Sequence, residues 1–276
     1  MSILDQIIRH KKREVAAAMR AVSLEKMKRA ARSSPFRPRG FRKALTKAAR
    51  RPHVIAEVKK RSPSRGLLCK NFDPLKLAAA FEKNGAAALS VLTDRKFFGG
   101  SLDSLTRIRR KARIPILRKD FIVHEYQVYE SAAAGADAVL LIAAVLKKDE
   151  IVHLQKTAAR LGLDALVEVH SLKELGKVRG LKGILLGINN RDLKTFRVSL
   201  RTTERLMRRV PRGVPAVSES GIFTPADLTR LAKAGVRAVL VGEGLVVQKD
   251  PGSALAKLIG YNTHPWSKSK SAASRI

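Results

Sequence analysis

The chain has 276 residues, 45% of them hydrophobic, and its 56 Lys+Arg against 23 Asp+Glu give a formal net charge of +33. No apolar run approaches the ~20 residues of a membrane helix, and a single cysteine, Cys69, excludes an internal disulfide. The cations are spread along the whole chain and aromatics are only 5%, which argues against a nucleic-acid module with stacking platforms.

In chain order, the first pattern is helical. Ile3, Leu4, Ile7, Ile8 and Val15 fall at helix spacing within residues 2–20. A second helix follows Ser23, with Glu25 close behind the cap. Pro35, Pro38 and Gly40 then break the pattern, and a short helix is expected over 41–49. From there short aliphatic runs alternate with amphipathic stretches. The runs fall at 54–59, 87–92, 116–119, 138–142, 165–169, 184–188, 215–218 and 238–241. The helical stretches fall at 74–84, 101–111, 125–134, 148–161, 172–179, 200–209, 225–234 and 253–259. Continuous aliphatic strands alternating with helices indicate a parallel sheet covered by helices. Eight such units suit closure into an α/β fold of the (β/α)8 TIM-barrel type. A doubly wound open sheet is the alternative, weakened because no GxGxxG follows the first strand. The expected organisation is a helical extension over 1–50, a barrel over 51–260, and a basic, disordered tail over 261–276.

Barrel enzymes carry their chemistry at the C-terminal ends of the strands. Polar residues gather there in this sequence. Glu57 and Lys59 are two apart on the first strand, so their side chains share a face. With Ala56 and Val58 facing the helices, the pair points into the barrel. The third strand ends at Lys119, the fifth at Glu168, the sixth at Asn189 with Arg191 two residues on, and the seventh at Ser218-Glu219-Ser220-Gly221. Lone charges at strand ends are ordinary; lysines, carboxylates and an amide on five of them point to catalysis. Ser220-Gly221 and Gly242-Glu243-Gly244 follow the last two strands, where barrels bind phosphate through backbone N–H groups. The loop Arg61-Ser62-Pro63-Ser64-Arg65-Gly66 is polar and turn-rich, and long enough to cover the site.

These segments resemble the indole-3-glycerol-phosphate synthase family from about Ile3 to about Leu258. The resemblance rests on Ile55-Ala56-Glu57-Val58-Lys59-Lys60, Ser62-Pro63-Ser64-Arg65-Gly66, Ser90-Val91-Leu92-Thr93-Asp94 with Phe98 and Gly100, Lys119-Asp120-Phe121-Ile122, Gly187-Ile188-Asn189-Asn190-Arg191-Asp192-Leu193, and Ser218-Glu219-Ser220-Gly221-Ile222. It implies ring closure of 1-(2-carboxyphenylamino)-1-deoxyribulose 5-phosphate, a phosphosugar, with loss of CO2 and water and without a cofactor. It puts the catalytic positions on Glu57, Lys59, Lys119, Glu168, Asn189 and Ser220. Substrate contacts are expected from Ser62, Phe98, Phe121, Arg191 and Glu219, and phosphate contacts from Gly221, Gly242 and Glu243. Arg65 stands where lysine is commoner, Arg61 where alanine is frequent, and Gly244 where alanine or serine is usual.

In the mechanism this implies, Lys119 protonates the ketone, and neighbouring cations are expected to lower its pKa toward neutrality. Phosphoribosylanthranilate isomerase is a rival within the same fold. Its acid–base chemistry resembles a Cys and Asp pair, whereas the first strand here ends in Glu57 and Lys59. An inactive binding barrel and a basic RNA-binding protein are the other readings. The six histidines have no metal-ligand spacing, so no metal is expected. Further expectations are a monomer in a reducing, cytoplasmic setting, with no membrane contact and only weak, non-specific polyanion binding.

Overall fold

The computed structural model describes residues 2–193 and 195–260. The expected tail, 261–276, lies outside the described residues. Eight parallel strands close into a barrel: β1 (His53–Val58), β2 (Ala88–Leu92), β3 (Ile116–Lys119), β4 (Ala138–Ile142), β5 (Asp164–Val169), β6 (Leu185–Asn189), β7 (Ala216–Glu219) and β8 (Ala238–Val241). Each pairs with its sequence neighbours, and β1 pairs with both β2 and β8. Closure leaves this sheet without an edge. The barrel expected from the eight aliphatic runs is therefore the observed fold.

Alternation along each strand divides the core. Ile55, Leu117, Leu166, Leu185, Val217 and Leu240 pack together inside the barrel. Val54, Ala56 and Val58 face outward into the layer beneath the helices. Glu57 therefore lies on the inward face with Ile55.

Three helices precede β1: α1 (Ile3–Ala21), α2 (Leu24–Arg32) and α3 (Phe41–Thr46). α1 starts with a capping box: Asp5 N–H donates to Ser2 Oγ at 3.1 Å and Ser2 N–H to Asp5 Oδ2 at 2.9 Å. α3 is shorter than the 41–49 expected. Its fully buried Phe41 and Leu45 join the interior cluster, and Arg42 N–H donates to Asp164 Oδ2 at 2.8 Å, at the start of β5. α3 thus plugs the N-terminal end of the barrel and leaves the other end to the site. Ile3, Leu4 and Ile7 of α1 lie at that other end and line the cleft. No helix among the described residues is long and apolar enough to cross a membrane.

Candidate active site

All fourteen side chains and glycines singled out in the sequence line one cleft at the C-terminal ends of the strands. Glu57, Lys119, Glu168, Asn189 and Glu219 come from the last two positions of their strands, and the other nine from the loops and short helices that follow. Lys59 Nζ lies 2.6 Å from Glu57 Oε2, at the end of β1. Gly242, just after β8, leaves room for this pair: a Cβ there would overlap Glu57 Oε2 and crowd Lys59 Nζ.

Across the cleft, Lys119 Nζ donates to Glu168 Oε2 at 3.1 Å and lies 3.3 Å from Glu219 Oε2. This corrects the expectation for its pKa. Burial is the largest influence and disfavours the ammonium, but Glu168, Glu219 and Glu57 outweigh it and hold Lys119 above the ordinary lysine range. Cations were expected around it from the sequence; the nearest charges are carboxylates. Lys119 is therefore an ammonium throughout the neutral range.

The two carboxylates beside it are driven apart. Burial opposes the charge of Glu168, but Lys119 and His170 prevail and bring its pKa down to about 2. Burial pushes Glu219 up to about 8, against the pull of Lys119 and with the help of Glu168. Glu219 Oε1 is buried without a hydrogen-bond partner, in keeping with a neutral carboxyl. A Cβ at Gly187 on β6 would overlap that oxygen. Paired acids with divergent pKa values are a mark of acid–base sites.

Asn189 and Ser220 meet at the ends of β6 and β7, where Ser220 Oγ donates to Asn189 Oδ1 at 2.9 Å. Ser220 has φ 67°, an uncommon left-handed conformation for serine, followed by Gly221 at φ 78°. Asn190 holds this bend by donating to the Ser220 carbonyl at 3.0 Å and to Ser218 Oγ at 2.9 Å. Nothing in the sequence assigns Asn190 a role of its own, although it lies between the candidate site residues Asn189 and Arg191 in a segment that carries the resemblance. Phe98 and Phe121 form an aromatic wall, with ring centroids 6.0 Å apart.

At the remaining side of the cleft, Gly242 caps the short helix Glu243–Val246. The Glu243 carboxylate is engaged by two arginines: Arg65 Nε donates at 2.8 Å and Arg191 Nη2 at 3.2 Å. Arg65 comes from the hairpin Arg61–Ser62/Gly66–Leu67, which brings Ser62 to the cleft. Arg61 anchors that hairpin by donating from Nε to the Phe97 carbonyl at 3.2 Å.

The family model for indole-3-glycerol phosphate synthase matches residues 4–258. The chain belongs to the indole-3-glycerol phosphate synthase family. A synthase of that name from Albidiferax ferrireducens is 49% identical over 258 residues, covering 93% of this chain and 97% of its own. One from Crocosphaera subtropica is 45% identical over 265 residues, covering 94% and 90%. Among solved structures, the tryptophan synthase alpha subunit of Legionella pneumophila is similar with a TM-score of 0.58 and 16% identity, over 79% of this chain and 96% of that one, a likeness of fold. Membership in the synthase family makes the chain a decarboxylating lyase of tryptophan biosynthesis.

Proposed function

We propose that the cleft closes the indole ring of 1-(2-carboxyphenylamino)-1-deoxyribulose 5-phosphate, giving indole-3-glycerol phosphate, CO2 and water. One observation carries the residue assignment: two lysines, Lys59 just after β1 and Lys119 on β3, face the cleft, each beside inward acidic side chains.

The aromatic carbon bearing the carboxylate attacks the ketone carbon, and the ketone oxygen takes a proton from Lys119. A raised pKa makes Lys119 a weak acid in the ground state. The alkoxide that develops on attack is a stronger base, so the transfer runs downhill once the new carbon–carbon bond forms. Ring attack leaves positive charge on the aryl amine, and ionised Glu168 opposes it. CO2 departs, and its bonding electrons restore the aromatic ring. The hydroxyl at the former ketone carbon then leaves as water with a proton from Lys59, held by Glu57. Glu168 removes a proton from the adjacent methylene. Each acid–base contribution is typically ~10²–10⁴-fold.

Phe98 and Phe121 suit the anthranilate ring. The consecutive left-handed residues Ser220 and Gly221, with the backbone at Gly242 and Glu243, suit the phosphate. At Glu243 the backbone N–H, rather than the carboxylate, serves as the phosphate ligand. Steady-state fluorescence of the indole product tests the reaction: product should accumulate from the carboxyphenylamino substrate with no added cofactor. Consumption of substrate to a non-indole isomer would refute it.

A further inference from the structure

Lys11 stands out among the buried charges of the molecule. It lies within the basic run Lys11-Lys12-Arg13 on α1, yet it is fully buried. Its Nζ lies 3.0 Å from Asp94 Oδ2, 2.9 Å from Asp120 Oδ1 and 2.9 Å from Glu14 Oε1. A buried ammonium facing three carboxylates exchanges its hydration shell for fixed partners. Burial disfavours its charge, but Asp120 and Asp94 prevail, so it remains protonated.

Two of the partners stand at the roots of the aromatic wall. Asp94 follows β2 and caps the short helix Arg95–Phe98, accepting from Phe97 N–H at 2.7 Å and Phe98 N–H at 3.3 Å. Asp120 follows Lys119 and accepts from Phe121 N–H at 2.8 Å through Oδ1, the oxygen that also faces Lys11. Its Oδ2 accepts from Thr93 Oγ1 at 2.5 Å and Arg118 Nη2 at 3.2 Å. The loops after β2 and β3 therefore meet at one ammonium supplied by a helix outside the barrel.

We propose that Lys11 is a positioning residue: its buried ammonium ties the loops that carry Phe98 and Phe121 and so fixes the aromatic wall of the cleft. Asp120 keeps Arg118 when Lys11 is lost, while Asp94 loses its ion-pair partner. The Phe98 side of the wall is thus the more dependent on Lys11. The consequence for substrate rests on the proposed reaction; the tether does not.

The test is Lys11→Met in the full chain, read by amide hydrogen exchange and by kinetics. Exchange at Phe97 and Phe98 accelerates, that at Phe121 less so, while β5 and β6 stay protected. KM for the carboxyphenylamino substrate rises about tenfold with kcat changed much less, the pattern of lost uniform binding when the wall that grips the ring loosens. Inhibition by inorganic phosphate, which uses the opposite side of the cleft, is unchanged. Wild-type exchange at Phe97 and Phe98 would overturn the proposal, as would a parallel loss of substrate and phosphate affinity. Should Lys11→Met not fold, Asp94→Asn serves: its remaining carbonyl still caps the helix but lacks the charge. Faster exchange at Phe97 and Phe98 alone supports the tether, and unchanged exchange overturns it. Exchange needs no substrate, so it tests the tether even if the proposed reaction fails.

Discussion

The backbone of Gly242 lies against the carboxylate of Glu57, so close that a Cβ on Gly242 would overlap Glu57 Oε2 and crowd Lys59 Nζ. The loop after β8 therefore sets the position of the ion pair at the end of β1. Both crowded atoms are the far ends of flexible side chains, so Gly242→Ala should fold. The pair must shift instead, and displacements near 1 Å can cost on the order of 10²-fold in rate. We expect kcat to fall by about that factor with little change in melting temperature. Wild-type kcat in Gly242→Ala would show that the placement of Glu57 and Lys59 does not limit the chemistry.

Glu243 pairs with Arg65 and Arg191 beside the proposed phosphate site. Its carboxylate competes with any anion for Arg65 and Arg191 and repels a phosphate at Gly242. Glu243→Gln keeps the shape and removes the charge. Competitive inhibition by inorganic phosphate should tighten several-fold in this variant. Weaker inhibition would mean that the carboxylate holds the arginines in place for the phosphate.

Glu219 gives a signed prediction for stability. Its folded pKa of about 8 lies above the 4.5 of an unperturbed glutamate. Between these values the unfolded chain releases this proton while the folded protein keeps it, so the site loses stability as pH rises through the window. Glu168 shifts the other way, to about 2, and acts only below that window. The melting temperature of Glu219→Gln relative to wild type should therefore climb between about pH 5 and pH 8. A constant difference would place the Glu219 titration outside that range.

Much of this was legible in the sequence because barrels write their pattern locally. Each aliphatic run sits between a helix and a polar strand end, so the eight units follow from the pattern and the shared face of Glu57 and Lys59 from their spacing; that this face is the inward one rests on Ala56 and Val58 facing the helices. What was hidden depends on groups distant in sequence. Lys11 reads as one more solvated cation of α1, since Asp94 and Asp120 lie on loops far along the chain. The expected lowering of the Lys119 pKa failed for the same reason: which charges are nearest is decided by closure, which sets Glu168 and Glu219 beside it. Ser220 gave no sign of its left-handed backbone, because serine does not announce that conformation as glycine does.

The net charge of +33 should act on capture rather than on chemistry. A cationic field attracts a substrate carrying a carboxylate and a phosphate, and salt screens it over a Debye length of ~8–10 Å. Contacts inside the cleft are short and partly desolvated. Steady-state kinetics over a chloride series should show kcat/KM falling several-fold while kcat stays nearly constant. A flat kcat/KM would mean that the field does not limit encounter.

In the proposed reaction Lys119, held between Glu168 and Glu219, supplies the proton that lets the ring close. The direct measurement follows indole fluorescence and CO2 release together, for wild type and Lys119→Met, on the carboxyphenylamino substrate. Wild type should yield indole product and CO2 in equal amounts. Lys119→Met should stay folded and lose at least ~10²-fold in kcat for both signals, as expected for a lost general acid. A variant keeping more than about a tenth of the wild-type kcat, where that minimum applies, would contradict this role and remove Lys119 from the step.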